Sequence, residues 1–576
     1  MDKIKKNNFS LAVIVLFFLA IPFVNFNHHK YEKHEGVIEW DIKSYYAYLP
    51  AAFIEKDLSL SFMDEDIVFW GKWIWPITTP TGNKAILTSM GMSVMYSPFF
   101  FIAHGYCKIS DKYEANGYTK PYHIALTFSA WIYFIIGLLF LRKLLLKYFS
   151  EFSASLTLLF VGAGTNLFYY TTYEAPMSHC FNFVLITILV FLIDKWWEKE
   201  NNWKYTIGIG LLAGLITLIR PTNIIVLLLI PLYGVAAYKD LGKRITNLVS
   251  IWPHLLVMAV FFILVWVPQF AYWHKVAGKI FYFSYGEVGS AFYFNNPQIK
   301  NILFSWQKGW FIYTPVMFFA TLGFYFLIKN KIKVHVAFTV FFIVNLYILS
   351  SWWSWWFGGG FSIRAFVDSY GIMAFPLAAL IEQSRTRKIL NYSLVSVLLI
   401  LSTYNTFQCQ QYRYVAIHYW WNNKEVYFEN FLKTKPTCKA WYIYNQPDVI
   451  KARQGIYEAI PFVDNNVTRE DLYNRLDKNI SGNQQLTDSL LQVSENGETN
   501  FDSFKKEYID SLIDNRLAKN VYKQLRIEHY IKRMHDCTSW KKEIERMARR
   551  KNISFDEAAL SEAQRIFETY SQDFIK

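Results

Sequence analysis

The sequence predicts an all-α polytopic membrane protein with about eleven transmembrane helices, followed by a soluble, helix-rich C-terminal domain outside the cytoplasm. Hydrophobic residues make up 53% of the 576-residue chain, and aromatic residues alone make up 19%. Trp and Tyr in such numbers are typical of the two interfaces of a bilayer. Long apolar runs stop at about residue 420, and charged residues become dense after it. We therefore predict a transmembrane domain over 1–410 and a soluble domain over 411–576.

The apolar runs give the order of the spans. The first run, 9–26, follows a basic N-terminus and precedes no small-residue cleavage site, so we interpret it as an uncleaved helix that starts inside. Ten further runs follow, at 122–142, 153–171, 179–195, 204–219, 222–238, 250–272, 309–328, 335–352, 363–382 and 389–407. An odd number of spans places the C-terminal domain outside. A long outer loop, 27–121, separates the first two spans.

One segment inside that loop, 85–106, is apolar enough to span. If it spanned, however, every later basic cluster would fall on the outer side. We therefore predict that it lies along the outer interface.

The loops between the predicted spans explain much of the formal net charge of +14. Basic residues gather between apolar runs, as the positive-inside rule predicts for cytoplasmic loops, and no nucleic-acid-binding motif accompanies them. The clusters are Lys3, Lys5 and Lys6; Arg142, Lys143 and Lys147; Lys195 and Lys199; Lys239, Lys243 and Arg244; Lys329, Lys331 and Lys333; and Arg385, Arg387 and Lys388. This orientation fits a bacterial cytoplasmic membrane, and an endoplasmic-reticulum protein would have the same one.

The C-terminal domain shows helical spacing over 504–519 and 522–533. Ser554 with Glu557 predicts a capping box that opens a last helix over 555–570. A stretch rich in Gly, Asn, Gln and Ser, 481–500, predicts a flexible linker. Cys438 and Cys537 could form a disulfide or remain free thiols.

Charged residues converge on the predicted outer face, where a charge next to the membrane is costly and therefore a functional candidate. Carboxylates can act as general bases, and Arg or Lys can hold and stabilise a phosphate leaving group. We assign Asp41, Glu39 and Glu174 as candidate catalytic residues and Lys84, Arg220 and Arg364 as candidate phosphate-binding residues. His179 and Tyr45 are candidate substrate-binding residues.

Several other patterns have two interpretations. Trp355 and Trp356, with the glycines at 358–360, could form a sugar-stacking platform or an interfacial aromatic belt. The acidic triplet 64–66 resembles a metal-binding D-x-D, but a solvated loop is the commoner explanation. The segment 307–310 is better interpreted as an interfacial anchor than as a donor-binding element. We assign no metal ligands and no cofactor, and the sequence does not indicate whether a divalent metal takes part.

This layout resembles the GT-C superfamily of lipid-dependent glycosyltransferases, near its protein mannosyltransferase and aminoarabinose transferase branch. Asp41, with Glu39 beside it, occupies the position of the essential acid in the first outer loop, Glu174 that of a second acidic loop, and Lys84 that of a basic residue at the lipid phosphate. In the mannosyltransferases the two acids are adjacent, whereas Trp40 separates them here, which leaves the identity of the base open; we favour Asp41. The resemblance covers about 8–410 and implies a polyprenyl-phosphate sugar donor and inversion at the anomeric carbon.

The leading hypothesis is therefore glycosyl transfer at the outer face, with a lipid-linked donor, membrane lipids, and a protein, glycan or lipid acceptor as partners. A close variant is an oligosaccharyltransferase that uses a lipid-diphosphate glycan. A transporter or flippase is the alternative from another class, although the chain shows no inverted repeat. A third interpretation is a non-catalytic scaffold for the outer domain.

Overall fold

The computed structural model describes residues 8–32, 36–199, 202–237, 239–461, 467–497 and 499–570. The chain divides into two compact units, the first comprising 1–410 with 453–455 and the second comprising 411–452 with 456–576. We call them the membrane unit and the C-terminal unit. The N-terminal basic residues Lys3, Lys5 and Lys6 lie outside the described residues.

The membrane unit is built from apolar helices that match the predicted spans one by one. Six described helices are long and apolar enough to cross a membrane, and five shorter apolar helices accompany them. The long ones contain α1 (Phe9–His28), α5 (Lys120–Leu145), α8 (Ser178–Glu198), α12 (Trp252–Ala277), α17 (Tyr370–Ser384) and α18 (Lys388–Arg413). The shorter ones are α6 (Glu151–Ala163), α9 (Trp203–Ile219), Pro221–Leu232, α15 (Val316–Lys329) and α16 (His335–Ser350). The predicted all-α polytopic class is confirmed.

Three predicted spans are less regular than the apolar pattern suggested. The span at 153–171 breaks at Gly164 into α6 and a short α7, Leu167–Thr172. The span at 222–238 starts with a 3₁₀ helix, Pro221–Leu228, and a short α10, Leu229–Leu232, and the helical part ends there. The span at 309–328 starts with a short α14, Trp310–Tyr313, because Pro315 lacks the N–H needed to continue that helix.

Close helix packing in the membrane unit uses glycines. A Cβ on Gly210 of α9 would lie 2.6 Å from the carbonyl oxygen of Met258 on α12. A Cβ on Gly323 of α15 would overlap the carbonyl oxygen of Pro376 on α17. Small residues at such crossings are what membrane helices need, because packing rather than water exclusion holds them together.

The predicted outer loop is structured rather than extended. It holds α2 (Asp41–Phe53), α3 (Ile67–Trp73), an antiparallel hairpin of β1 (Pro76–Thr78) and β2 (Lys84–Ile86), and α4 (Gly91–Ile109), with a 3₁₀ turn at Lys30–Glu32 and another at Ser61–Asp64. Helix α4 is the predicted interfacial helix, and it starts later than expected because residues 84–86 pair in the hairpin. Its interfacial position stays a prediction.

Short elements complete the membrane unit. They are α11 (Asp240–Ser250), a 3₁₀ turn at Ser284–Val288, α13 (Ile299–Phe304) and a 3₁₀ helix at Arg364–Ser369 that leads into α17.

The C-terminal unit is helical with one small hairpin. Its elements are α19 (Lys424–Glu429), a 3₁₀ turn at Ala440–Tyr442, β3 (Asn445–Pro447), α20 (Val449–Ala452), β4 (Ala459–Pro461), α21 (Arg469–Ser481), α22 (Gln484–Asn496), α23 (Phe501–Asp514), α24 (Lys519–Asp536), α25 (Thr538–Lys551) and α26 (Phe555–Tyr570). Cys438 and Cys537 form a disulfide. The capping box at Ser554 and Glu557 is confirmed by reciprocal hydrogen bonds.

The predicted linker over 481–500 is wrong. Most of it forms α22, because Asn483 caps the helix through the backbone N–H of Leu486 and Leu490 packs into the core formed by α21 and α23. The polar composition reflects the solvated face of an amphipathic helix.

An ion network around the buried pair Lys439 and Glu562 holds α26 in the C-terminal unit. Lys439 lies 2.6 Å from Glu543 and 3.0 Å from Glu562, and Glu562 also pairs with Arg565 at 2.9 Å. Burial alone would raise the pKa of Glu562, but Arg565 and Lys439 outweigh it and hold the pKa below its usual 4.5. The ionised form therefore stabilises the fold above about pH 4.5, and this contribution is lost as the pH falls further.

We predict that Glu562→Gln lowers the stability of the C-terminal unit by about 1–3 kcal/mol at neutral pH, because Lys439 loses a buried partner. The difference from wild type shrinks below about pH 4.5. Hydrogen exchange of α26 in the full chain, corrected for intrinsic rates, measures both effects. Glu507→Gln, on the exposed side of α23, is the matched control. An equal difference at neutral and acidic pH contradicts the assigned network.

Candidate functional site

An ion pair joins the segment that follows α1 to the 3₁₀ helix that leads into α17. Arg364, the first residue of the 3₁₀ helix before α17, places Nη2 2.9 Å from Oδ2 of Asp41. Asp41 opens α2, where its negative charge is favourable near the helix N-terminus. The Asp41 side chain is 42% exposed and that of Arg364 is 19% exposed. The carboxylate can therefore be reached by a substrate, while the guanidinium is largely enclosed.

Glu174 supplies a second carboxyl group to this site. It lies in the turn between α7 and α8 and accepts a hydrogen bond from the Tyr169 hydroxyl at 3.1 Å. Burial raises the pKa of Glu174, and the positive charges of Lys30 and Arg364 oppose that rise. Asp41 and Glu174 therefore sit in different environments, since Asp41 is open to solvent and Glu174 is largely enclosed.

Lys308 is a buried cation of the same site. Its side chain is only 2% exposed, and its Nζ donates a hydrogen bond to the carbonyl oxygen of Gly360. Burial, together with the charge of Arg364, lowers the pKa of Lys308 to about 7, and the charge of Glu174 opposes this shift. The interfacial anchor predicted for 307–310 is wrong, because Trp310 is also fully buried and stacks on Phe366 with ring centroids 4.3 Å apart.

Gly360 lets these groups approach one another. A Cβ at this position would lie 2.7 Å from the Tyr170 hydroxyl and 2.8 Å from Cδ of Arg364. Tyr170 in turn donates a hydrogen bond to the carbonyl oxygen of Phe361 at 3.2 Å. A side chain at 360 would therefore displace Arg364, which explains why this position of the glycine run is a glycine.

A buried polar network holds Arg220, at the end of α9. Asp368 is 2% exposed and lies 3.6 Å from Arg220 Nη1 and 3.0 Å from His179 Nδ1. The amides of Asn182 and Asn223 donate to Asp368 Oδ2 at 3.1 and 2.8 Å. Both oxygens of the carboxylate are thus occupied, and the cation and the imidazole are fixed in place.

The imidazole of His179 has two competing neighbours at one nitrogen. Its Nδ1 lies 3.0 Å from Asp368 Oδ1 and 3.0 Å from Arg220 Nη1. When Nδ1 carries a proton it donates to Asp368, and when it carries none it accepts from Arg220.

Electrostatics connects the Asp368 network with the Asp41 pair. Burial and the charge of Asp41 raise the pKa of Tyr45, while the charges of Arg364 and Arg220 oppose the rise. The Tyr45 hydroxyl accepts a hydrogen bond from Ser178 Oγ at 3.4 Å, at the start of α8 beside His179. We call the following residues the Arg364 cluster: Asp41, Tyr45, Glu174, His179, Arg220, Lys308, Arg364 and Asp368.

The structure leaves four candidates outside this cluster. Glu39 lies 3.7 Å from Lys30, whose charge also acts on Glu174, so Glu39 lies at the edge of the site. Lys84 pairs with Asp64 at 2.5 Å on the β1–β2 hairpin rather than with a member of the cluster. Trp355 and Trp356 are 6% and 0% exposed, and their rings pack edge to face with centroids 5.8 Å apart. Substrate contact by these two rings stays a prediction.

Three residues of the site were missed from the sequence. Lys30 resembles an ordinary loop lysine, and Lys308 was assigned to an interface. Asp368 had a usable signal, since it is an acidic residue inside a predicted span, where an ionisable side chain marks function or a buried partner.

No group of three or more His, Cys, Asp or Glu side chains that could hold a metal occurs within the described part of the chain. The pair at Arg364 and the network at Asp368 instead use cations and amides to balance the carboxylates.

Of the comparisons with known proteins, only the one with solved structures found similarity to this chain. No protein-family model and no curated protein matches the chain. The solved structures that resemble it include two of Archaeoglobus fulgidus oligosaccharyltransferase, the first of them named AglB. The complex with an inhibitory peptide and a dolichol-phosphate has 11% identity, a TM-score of 0.42, and coverage of 75% of this chain and 57% of that one. The apo form has 12% identity, a TM-score of 0.44, and coverage of 76% and 61%. The chain thus spans about three fifths of the length of these structures.

We predict that Asp368→Asn destabilises the membrane unit by about 3–5 kcal/mol, because Arg220 loses its buried counter-charge and one amide donor loses its acceptor. Equilibrium unfolding in mixed micelles measures the change. Asp111→Asn, in an exposed turn, is the control. A free energy of unfolding within about 0.5 kcal/mol of wild type contradicts the structural role of Asp368.

Proposed function

We propose that the chain is a membrane glycosyltransferase that moves a sugar from a polyprenyl-phosphate donor to an acceptor hydroxyl at the outer face of a bacterial cytoplasmic membrane. The observation that carries the proposal is the Arg364 cluster, in which an accessible carboxylate, an enclosed carboxyl group and three cations meet at one end of the helices. Transfer from a phosphate carrier needs this set: a base for the acceptor and positive charge for the leaving group.

Asp41 is the general base in this proposal. The acceptor oxygen attacks the anomeric carbon, its proton passes to Asp41, and the bond between that carbon and the donor phosphate oxygen breaks. The polyprenyl phosphate leaves with the electron pair, so the anomeric configuration inverts. Exposure supports Asp41 over Glu39, since Asp41 is the more open of the two and pairs with the cation at the centre of the cluster.

Arg364, Lys308 and Arg220 hold the donor phosphate. The phosphate competes with Asp41 for Arg364, and donor binding therefore frees the carboxylate to accept a proton. Arg220 is held in place by Asp368 and does not need to reorganise when the phosphate arrives. Glu174, which burial keeps more readily protonated, hydrogen-bonds the sugar hydroxyls.

The disulfide supports the orientation. Structural disulfides persist in oxidising compartments, so Cys438–Cys537 favours a C-terminal unit outside the cytoplasm. The same orientation places the turn that carries Glu174 on the outer face and the basic loops on the inner face. The acceptor is a hydroxyl of a protein, glycan or lipid.

Asp41→Asn tests the base. We expect transfer to fall by about 10²–10⁴-fold at matched expression, since an amide cannot accept the acceptor proton. The assay follows loss of polyprenyl-phosphate sugar in membranes that carry each variant. Glu65→Gln, an exposed acid of the same outer segment, is the control and retains activity. Normal turnover by Asp41→Asn, or loss with Glu39→Gln alone, contradicts the assignment of Asp41.

Lys308 makes donor binding depend on pH in this proposal. Because its pKa is lowered to about 7, Lys308 loses its charge as the pH rises through neutrality. We predict that the KM for the donor increases between about pH 6 and pH 8 and that Lys308→Arg, which stays charged, flattens this increase. Steady-state kinetics at fixed ionic strength checks it. A wild-type KM that stays constant over this range argues against Lys308 as a phosphate ligand.

A further inference from the structure

We propose that the membrane unit binds the phosphate group of an anionic phospholipid between Arg244 and Lys333, at the end opposite the Arg364 cluster. This site is independent of the glycosyltransferase proposal and takes no part in the reaction described above.

Helix α8 sets the distance between the two sites. It begins at Ser178, beside His179 of the Arg364 cluster, and ends at Glu198. Twenty residues of α-helix span about 30 Å, the thickness of the hydrocarbon core of a bilayer. The side chains around Asp194 and Glu198 therefore lie at the opposite membrane surface, which the basic loops identify as the inner one.

Two cations converge on one glycine at this surface. Gly234 follows α10 with a φ of +79°, and a Cβ placed on it would lie 3.2 Å from Lys333 Cε and 3.3 Å from Arg244 Nη2. Arg244 also donates to the Tyr233 carbonyl oxygen at 2.8 Å, and Lys333 Nζ lies 5.4 Å from the centroid of the Tyr233 ring. The side chains of Arg244, from α11, and Lys333, from the turn before α16, thus lie against the same loop at Tyr233 and Gly234.

The carboxylates at the end of α8 are already paired with other lysines, and Asp240 of α11 accepts a hydrogen bond from the backbone N–H of Ala237 at 2.9 Å. Lys147 lies 2.6 Å from Asp194 and also contacts Glu198, and Lys195 lies 2.8 Å from Glu198. Within the part of the chain that the structure describes, neither Arg244 nor Lys333 forms an ion pair. The loop therefore carries an excess of positive charge.

That excess has an energetic cost in the protein alone. Burial lowers the pKa of Lys333, and the charges of Lys147 and Arg244 lower it further, against the opposing effect of Asp194 and Glu198. Burial also lowers the pKa of Arg244. A phosphate between the two side chains would neutralise the excess and accept charge-assisted hydrogen bonds from both.

Helix α11 indicates that the phosphate belongs to a lipid. Ile245 and Val249 lie on this helix at 61% and 67% exposure, one turn apart, and Trp252 follows at 61% exposure. Lys243 and Arg244 lie on the same short helix. An amphipathic basic helix at the inner surface places its apolar side chains among acyl chains and its cations at the headgroups. A free phosphate ion would not cover the exposed apolar side chains of Ile245, Val249 and Trp252.

The test uses the purified full chain and native mass spectrometry with added phosphatidylglycerol or phosphatidylcholine. We expect wild type to retain phosphatidylglycerol preferentially and the double variant R244Q/K333Q to bind it more weakly, by about fivefold for each removed cation. Phosphatidylcholine binding stays unchanged. The charge-preserving variant R244K/K333R retains phosphatidylglycerol, which separates charge from misfolding.

The matched control is K329Q/K331Q, which removes two charges from the end of α15 and the same turn. It should bind phosphatidylglycerol within about twofold of wild type, because Lys329 and Lys331 are exposed and neither is among the side chains beside Gly234. Equal losses in the control and the test variant overturn the site, and so does unchanged binding by R244Q/K333Q. Displacement of the lipid by inorganic phosphate at equal concentration overturns the lipid assignment.

Discussion

The ion pair between Arg364 and Asp41 is the contact on which the candidate site depends. It ties α2, in the long segment between α1 and α5, to the 3₁₀ helix that leads into α17. The same guanidinium acts electrostatically on Glu174, Lys308 and Tyr45. An arginine keeps its charge in an enclosed site, whereas Lys308 nearby titrates near neutrality, and this difference explains why the fixed positive charge is an arginine.

The bilayer constrains where charge can lie in this chain. The Arg364 cluster and the cations Arg244 and Lys333 beside Gly234 lie near opposite ends of α8, and apolar helices fill the distance between them. Asp368 is the exception, since it is buried inside a predicted span. It forms one buried network with Arg220, His179, Asn182 and Asn223, and each member needs the others as partners. Its hydrogen bonds and its pairing with Arg220 offset the free-energy cost of burying its charge next to the membrane.

The sequence predicted the spans well because a bilayer imposes length and apolarity on each helix, and all eleven predicted runs fall on apolar helices. It also identified most members of the Arg364 cluster, since charge near a membrane is rare. Lys308 and Trp310 were misassigned because burial against a neighbouring loop leaves no local pattern. The helix over 484–496 was missed because its apolar face is only a few residues wide. The pairing of Lys84 with Asp64 was not predicted either, because only the fold brings these two residues together.

A structure of the full chain with a bound polyprenyl phosphate tests the Arg364 cluster directly. We expect phosphate density within hydrogen-bond distance of Arg364 and Lys308, with the Asp41 carboxylate displaced from its ion pair and the lipid tail extending along the membrane. Phosphate density at Lys84 on the β1–β2 hairpin, with the pair of Arg364 and Asp41 intact, would contradict this expectation.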